Sequence, residues 1–206
     1  MLTKYLAIPG NYYNKYNSKN FIERYLVRKF TETIDKCVKK SNIDRIVDVG
    51  CGEGHFSLRY ASRGYSILAI DLEEEAINKI KFTASEKHLR LDIQQGDVYN
   101  LQGITGDNSL VLCLEVLEHL DRPFKALESL KMFTSDSIIL SVPREPIWSV
   151  LNLLRFKYIR DLGNTPGHIQ KWSKKEFVEI VSRYLQIIDV YSPLPWTIIH
   201  ARKVIR

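Results

Sequence analysis

Four side chains in this sequence are suited to chemistry by type and spacing: Glu115, Glu118, His119 and, much later, His168. The first three stand at i, i+3 and i+4, so on a helix they share one face. Two carboxylates and an imidazole on one face can hold a divalent ion and leave positions for substrate oxygens. The same groups can instead form a general-base network. His168 follows Pro166 and Gly167 in a segment expected to fold back over them. A second group lies upstream, where Val47-Asp48-Val49 runs into Gly50-Cys51-Gly52-Glu53-Gly54. Glycines at alternate positions let the backbone bend tightly and let a ligand lie against bare main chain. A helix starting at about His55 would add free N–H groups at its N-terminus.

The spacing narrows the ligand. A dinucleotide loop reads G-x-G-x-x-G, and here His55 occupies the third glycine's place. A phosphate loop ends in Gly-Lys-Ser/Thr, which is absent. Asp48 would repel a pyrophosphate but can accept a hydrogen bond from a cationic, amino-acid-like ligand. Asp48-x-Gly50-x-Gly52-x-Gly54 resembles the first motif of class I S-adenosylmethionine-dependent methyltransferases. The resemblance covers residues from about 43 onward and implies S-adenosylmethionine as cofactor. It assigns Asp48, Gly50, Cys51, Gly52, Gly54 and Glu115 to the cofactor's surroundings, Asp71 and Leu72 to its ribose, and Asp97 and Val98 to its adenine.

These residues need a scaffold. Apolar runs at Ile46–Val49, Tyr65–Ile70, Leu89–Gln94, Ser109–Leu114 and Ser137–Pro143 read as strands. Helical stretches at Phe56–Ser62, Ala76–Ser85 and Pro123–Met132 separate them. Continuous apolar strands suit a parallel sheet covered on both faces. A helix at Lys174–Arg183 and strands at Leu185–Tyr191 and Thr197–Val204 follow. The expected fold is α/β, a doubly wound, seven-stranded, mostly parallel sheet of the Rossmann-like methyltransferase type with an antiparallel C-terminal strand. Asp71, at the end of the second strand, suits a ribose acceptor and also suits a helix cap. One domain over residues 1–206 is expected, with 1–42 as a basic helical cap and 144–172 as an insertion or lid.

Composition excludes several classes. No segment reaches the roughly 18 uninterrupted apolar residues of a membrane span, and no basic-then-apolar leader opens the chain. Cys37, Cys51 and Cys113 give neither a disulfide framework nor a zinc pattern, so a cytoplasmic protein is expected. His88 and His200 read as structural, and His55, which opens the helix after the glycine loop, as packed or exposed. The net charge of +6 is uneven. Residues 1–45 hold ten Lys/Arg against four Asp/Glu, and residues 144–175 hold seven against two. Basic caps suggest an anionic surface, substrate or polymer, or a solvated face with no partner.

The acceptor is addressed by the cluster and the insertion. Glu-x-x-Glu-His with a later His resembles the small-RNA 2′-O-methyltransferases of the Hen1 type, which implies a metal at Glu115, Glu118, His119 and His168. It also resembles the UbiG/Coq3-like ubiquinone-biosynthesis O-methyltransferases, which share the Glu-His helix and the insertion. Glu-Val-Leu-Glu-His also occurs in class I enzymes without a metal, where it orders the cofactor pocket. His119, His168 and Glu115 are the catalytic candidates. Residues 146–160 are mostly apolar, with Arg155, Lys157 and Arg160 near the end, a profile for a lid over a hydrophobic acceptor or for peripheral membrane contact. An amphipathic helix over Asn20–Val38 is expected, with Phe21, Tyr25, Leu26, Phe30 and Ile34 as its stripe, and Tyr12, Tyr13 or Tyr16 can cover the cofactor. The leading expectation is O-methylation of a small, hydrophobic, quinol-, phenol- or lipid-like acceptor. Alternatives are methylation of RNA through the basic N-terminal face, and an inactive cofactor-binding scaffold.

Overall fold

The computed structural model describes residues 20–101, 104, 108–134, 136–155, 158, 161–165 and 167–203. Tyr12, Tyr13 and Tyr16 lie outside the described residues, as do Phe156, Lys157, Ile159, Arg160 and Pro166 of the insertion.

Helix α1 (Phe21–Ser41) opens on Asn20, whose side chain accepts from the N–H groups of Ile22 (2.9 Å) and Glu23 (3.2 Å), and closes on left-handed Asn42. Such caps satisfy backbone groups that a helix end otherwise leaves orphaned. Its buried apolar face is Phe30, Ile34, Cys37 and Val38. Phe21 and Tyr25 were expected in that stripe but are 77% and 44% exposed. The first turns of α1 run past the sheet, and Ile22, Glu23, Leu26 and Val27 border a cavity instead.

The sheet contains β1 (Arg45–Val49), β2 (Ser66–Asp71), β3 (Asp92–Gln95), β4 (Leu110–Leu114), β5 (Ser137–Pro143), β6 (Gln186–Tyr191) and β7 (Trp196–Arg202). Their order is β3-β2-β1-β4-β5-β7-β6, with β7 antiparallel to both neighbours and the other pairs parallel. Helices α2 (His55–Ala61), α3 (Glu74–Glu86), α4 (Pro123–Phe133), α5 (Ile147–Leu154) and α6 (Lys174–Ser182) connect them. β4 and β5 are buried at every position, as their unbroken apolar runs require when both faces are covered. Two apolar clusters form the core, and Val47 and Ile46, adjacent on β1, fall one in each.

Three expectations change. β3 begins at Asp92 rather than Leu89, because α3 runs on to Glu86, His88 turns at φ 54°, and Leu89 N–H still bonds Ala84 O at 2.9 Å. Glu115, Glu118 and His119 do not share a helical face. Glu115 N–H donates to Ser141 O at 3.0 Å, extending the β4–β5 pairing, and its φ is 60°. Only Leu117–His119 coil, as one 3₁₀ turn. In the insertion, α5 ends at Leu154, and its single buried residue is polar, Asn152.

Candidate active site

The carboxyl ends of β1, β2 and β4 open into a cavity of about 1550 Å³. This is where an open α/β sheet places its ligands, because strand order reverses there between β1 and its two neighbours. Asp48, Gly50, Cys51, Gly52, Asp71, Leu72, Asp97, Val98, Glu115, Glu118, His119 and His168 all line it. Gly54 does not. It turns at φ 79°, and a Cβ there would lie 2.7 Å from Ile80 Cγ1, so it seats α2 against α3.

The loop is built by close approach. Gly50 has φ 72°, and a Cβ would fall 2.4 Å from Val116 Cγ2. Gly50 and Cys51 N–H groups both donate to Ile70 O, at 2.8 and 3.0 Å. Gly52 N–H donates to Asp71 Oδ2 at 2.7 Å, and Glu73 N–H to Asp71 Oδ1 at 3.0 Å. Asp71 therefore ties the glycine loop to the end of β2. It is not the cap of α3, which begins at Glu74 behind Glu73. Each carboxylate oxygen has a second lone pair for a ligand hydroxyl. Asp97 works similarly, accepting from Tyr99 N–H at 2.9 Å.

Asp48 is 4% exposed and accepts a 2.6 Å hydrogen bond from Ser57 Oγ. Burial pushes its carboxyl up to about 6; the nearby Asp71 charge adds to this and the Ser57 bond opposes it. A buried acid poised in this way gains most from a cation. Burial also raises the Cys51 thiol, with Asp48 and Asp71 adding, so Cys51 is a wall residue and a poor nucleophile.

At the other end, the 3₁₀ turn and the returning insertion are strapped together. Glu118 O accepts from Ile169 N–H (2.8 Å) and Gln170 N–H (2.9 Å), and Gln170 Nε2 donates to Leu120 O (2.9 Å). His119 Nδ1 lies 2.9 Å from Gly167 O. A carbonyl only accepts, so Nδ1 carries the proton in this contact. The His119 and His168 rings meet edge to face at 4.9 Å. Ligand atoms of Glu118, His119 and His168 lie within 4.8 Å of one another. Glu115 is not in this group, because it directly follows β4, before the turn begins.

Several residues in or behind the cavity wall carry little or no signal in the sequence. Ser57 holds Asp48 from the first turn of α2, and a small hydroxyl there was its one available signal. Trp148 and Trp196 form an aromatic wall, with centroids 5.7 Å apart, and Trp148 lies 5.8 Å from His168. Val116 shapes Gly50 from across the sheet, a contact that only the fold reveals.

Residues 46–134 match the family model described as a methyltransferase domain. The chain is 26% identical over 185 residues to a ubiquinone biosynthesis O-methyltransferase of Rickettsia felis, covering 84% of this chain and 72% of that one. The fold is similar to magnesium protoporphyrin IX methyltransferase from Synechocystis PCC 6803 with bound S-adenosylhomocysteine, at TM-score 0.68, 20% identity and coverage of 92% and 91%. It is also similar to the methyltransferase domain of a bacterial Hen1, at TM-score 0.65, 22% identity and coverage of 86% and 99%. The fold and the domain match define a class I methyltransferase. The protein is an S-adenosylmethionine-dependent enzyme of that class. Among the described residues, no helix is long and apolar enough to cross a membrane.

Proposed function

We propose that the protein methylates an oxygen of a small, hydrophobic, phenol- or quinol-like acceptor. The observation that carries this reading is the continuity of one cavity, from Asp48 and the glycine loop to His119, His168 and the tryptophan wall. Asp48, Gly50, Gly52, Asp71 and Asp97 would hold S-adenosylmethionine. Bound, it supplies a methyl group on a positively charged sulfur that leaves as a neutral thioether. Asp48 meets the cationic amino-acid end and is drawn to its ionised form. Asp71 accepts from the ribose hydroxyls with the lone pairs that Gly52 and Glu73 leave. Val98 and Leu72 flank the base and sugar.

The acceptor lies under α5, against Trp148 and Trp196. His119 Nε2 takes the proton of its hydroxyl, so that an oxygen anion attacks the methyl carbon. Gly167 O stabilises the imidazolium through Nδ1–H. Relatives described as ubiquinone biosynthesis O-methyltransferases, at 25–26% identity over most of the chain, support a phenolic acceptor. The test is a screen with methyl-labelled S-adenosylmethionine across catechols, other phenols, lipids and RNA. Label on a phenolic oxygen is expected; label on RNA alone overturns the reading.

A second reading rests on Glu118, His119 and His168. One carboxylate and two imidazoles so close suit a divalent ion. An ion there would lower the pKa of an acceptor hydroxyl bound to it. His119 Nε2 would then be a ligand rather than the base. Loss of turnover in chelator and in Glu118→Gln, restored by one divalent metal only in the wild type, selects this reading. Unchanged turnover in chelator selects the general base.

A further inference from the structure

We infer that Asn152 is a positioning residue, holding His168 in place through Thr165 and Trp148. This rests on the reading of His168 as part of the acceptor end.

Helix α5 reads Ile-Trp-Ser-Val-Leu-Asn-Leu-Leu, yet Leu154 is 71% exposed while Asn152 is 2% exposed. A buried amide left without partners is destabilising, so what Asn152 bonds explains its position. Its Nδ2 donates to Gly163 O at 2.8 Å and, more weakly, to Thr165 Oγ1 at 3.3 Å. Its Oδ1 accepts from Arg155 Nη2 at 2.7 Å. Arg155 goes on to pair with buried Glu23 of α1. One amide thus joins α5, the returning loop and, through Arg155, the helix bordering the cavity.

Thr165 is the second junction. Its hydroxyl oxygen also accepts from Trp148 Nε1 at 2.9 Å, so both turns of α5 converge on it. The loop is pressed against α5 at Gly163, where a Cβ would fall 2.1 Å from Ser149 O. From Thr165 the chain reaches His168, whose ring lies 5.8 Å from Trp148 and 4.9 Å from His119. Asn164 Nδ2 donates to His168 O at 3.3 Å. His168 is therefore held on its backbone by the loop and on its ring by Trp148, and both depend on Thr165 and Asn152. Asn152 acts on no reacting atom itself.

The test is side-chain NMR of His168 at one fixed pH on the full chain with labelled histidine, in chelator and saturated with S-adenosylhomocysteine. Thr165→Val keeps the shape and removes the hydroxyl; Thr165→Ser restores it; Asn152→Leu removes the amide. We expect Thr165→Val and Asn152→Leu to displace the His168 ring resonances as Trp148 leaves its place 5.8 Å from that ring, with Thr165→Ser matching the wild type. Affinity for S-adenosylhomocysteine should stay within about twofold, since the glycine loop is untouched. If Asn152→Leu does not fold, the Val/Ser pair at Thr165 decides alone. Unmoved His168 ring resonances in Thr165→Val, or an equal displacement in Thr165→Ser, overturn the inference. The readout needs no turnover, so a failed acceptor screen would sink the proposed reaction without touching this result.

Discussion

His119 Nδ1 stands 2.9 Å from Gly167 O, joining the turn after β4 to the end of the insertion. Two segments almost fifty residues apart in the chain thereby choose one tautomer of one imidazole. Replacing His119 by Gln should lower turnover by about 10²-fold or more, the usual worth of a positioned base. Binding of S-adenosylhomocysteine should change little. Steady-state rates and calorimetry on the same preparation check both halves.

On the proposed reading of the site, Asp48 couples cofactor binding to pH. Its folded pKa, about 6, lies above the unfolded value near 3.8, and burial is the main cause. A cation favours the ionised form, so affinity for S-adenosylmethionine should rise as pH increases through about 6 and level off above it. Without ligand the sign is opposite. The raised pKa contributes stability below about 4 that is lost as pH rises through about 6. Asp48→Asn should weaken binding by about tenfold and flatten both dependences relative to the wild type, measured by calorimetry and thermal melts.

Gly50 tests the loop's geometry. Gly50→Ala meets Val116 Cγ2 at 2.4 Å and keeps φ at 72°. Overpacking of about 1–3 kcal/mol adds to about 1–2 kcal/mol for the left-handed backbone. Chemical denaturation should show a loss of that combined order. Adding Val116→Ala should recover the steric part and leave the backbone part.

Far from the cavity, buried His200 bonds Ser137 Oγ at 2.6 Å. Burial holds its pKa below 6.5, against the pull of Asp189. The folded chain resists protonating it, so its stability contribution is complete above 6.5 and declines as pH falls below that. His200→Gln should lose part of the acid sensitivity seen in wild-type denaturation curves as pH falls below 6.5.

The strands were legible because β1, β2, β4 and β5 are mostly apolar runs, as strands covered on both faces are. Asp48, Asp71 and Asp97 were legible because each lies within two residues of a strand's carboxyl end, on the same edge of the sheet. Glu115 misled, because the i, i+3, i+4 rule presumes a helix and the β4–β5 ladder claims this residue first. Gly54 matched the motif by type, but its absent side chain serves Ile80 rather than the cavity. Asn152 and Thr165 were invisible, since an Asn within an apolar helix gives no hint of bonds to a loop eleven and thirteen residues later.

The central claim is that donor and acceptor meet in one cavity, between Asp48 and His119. Transfer of labelled methyl to a catechol-bearing acceptor, measured for the wild type, Asp48→Asn and His119→Gln, tests it most directly. The account predicts a methylated phenolic oxygen in the wild type, a raised KM for S-adenosylmethionine in Asp48→Asn, and a lowered kcat in His119→Gln. Transfer that proceeds at the wild-type rate in His119→Gln, with or without chelator, would contradict it.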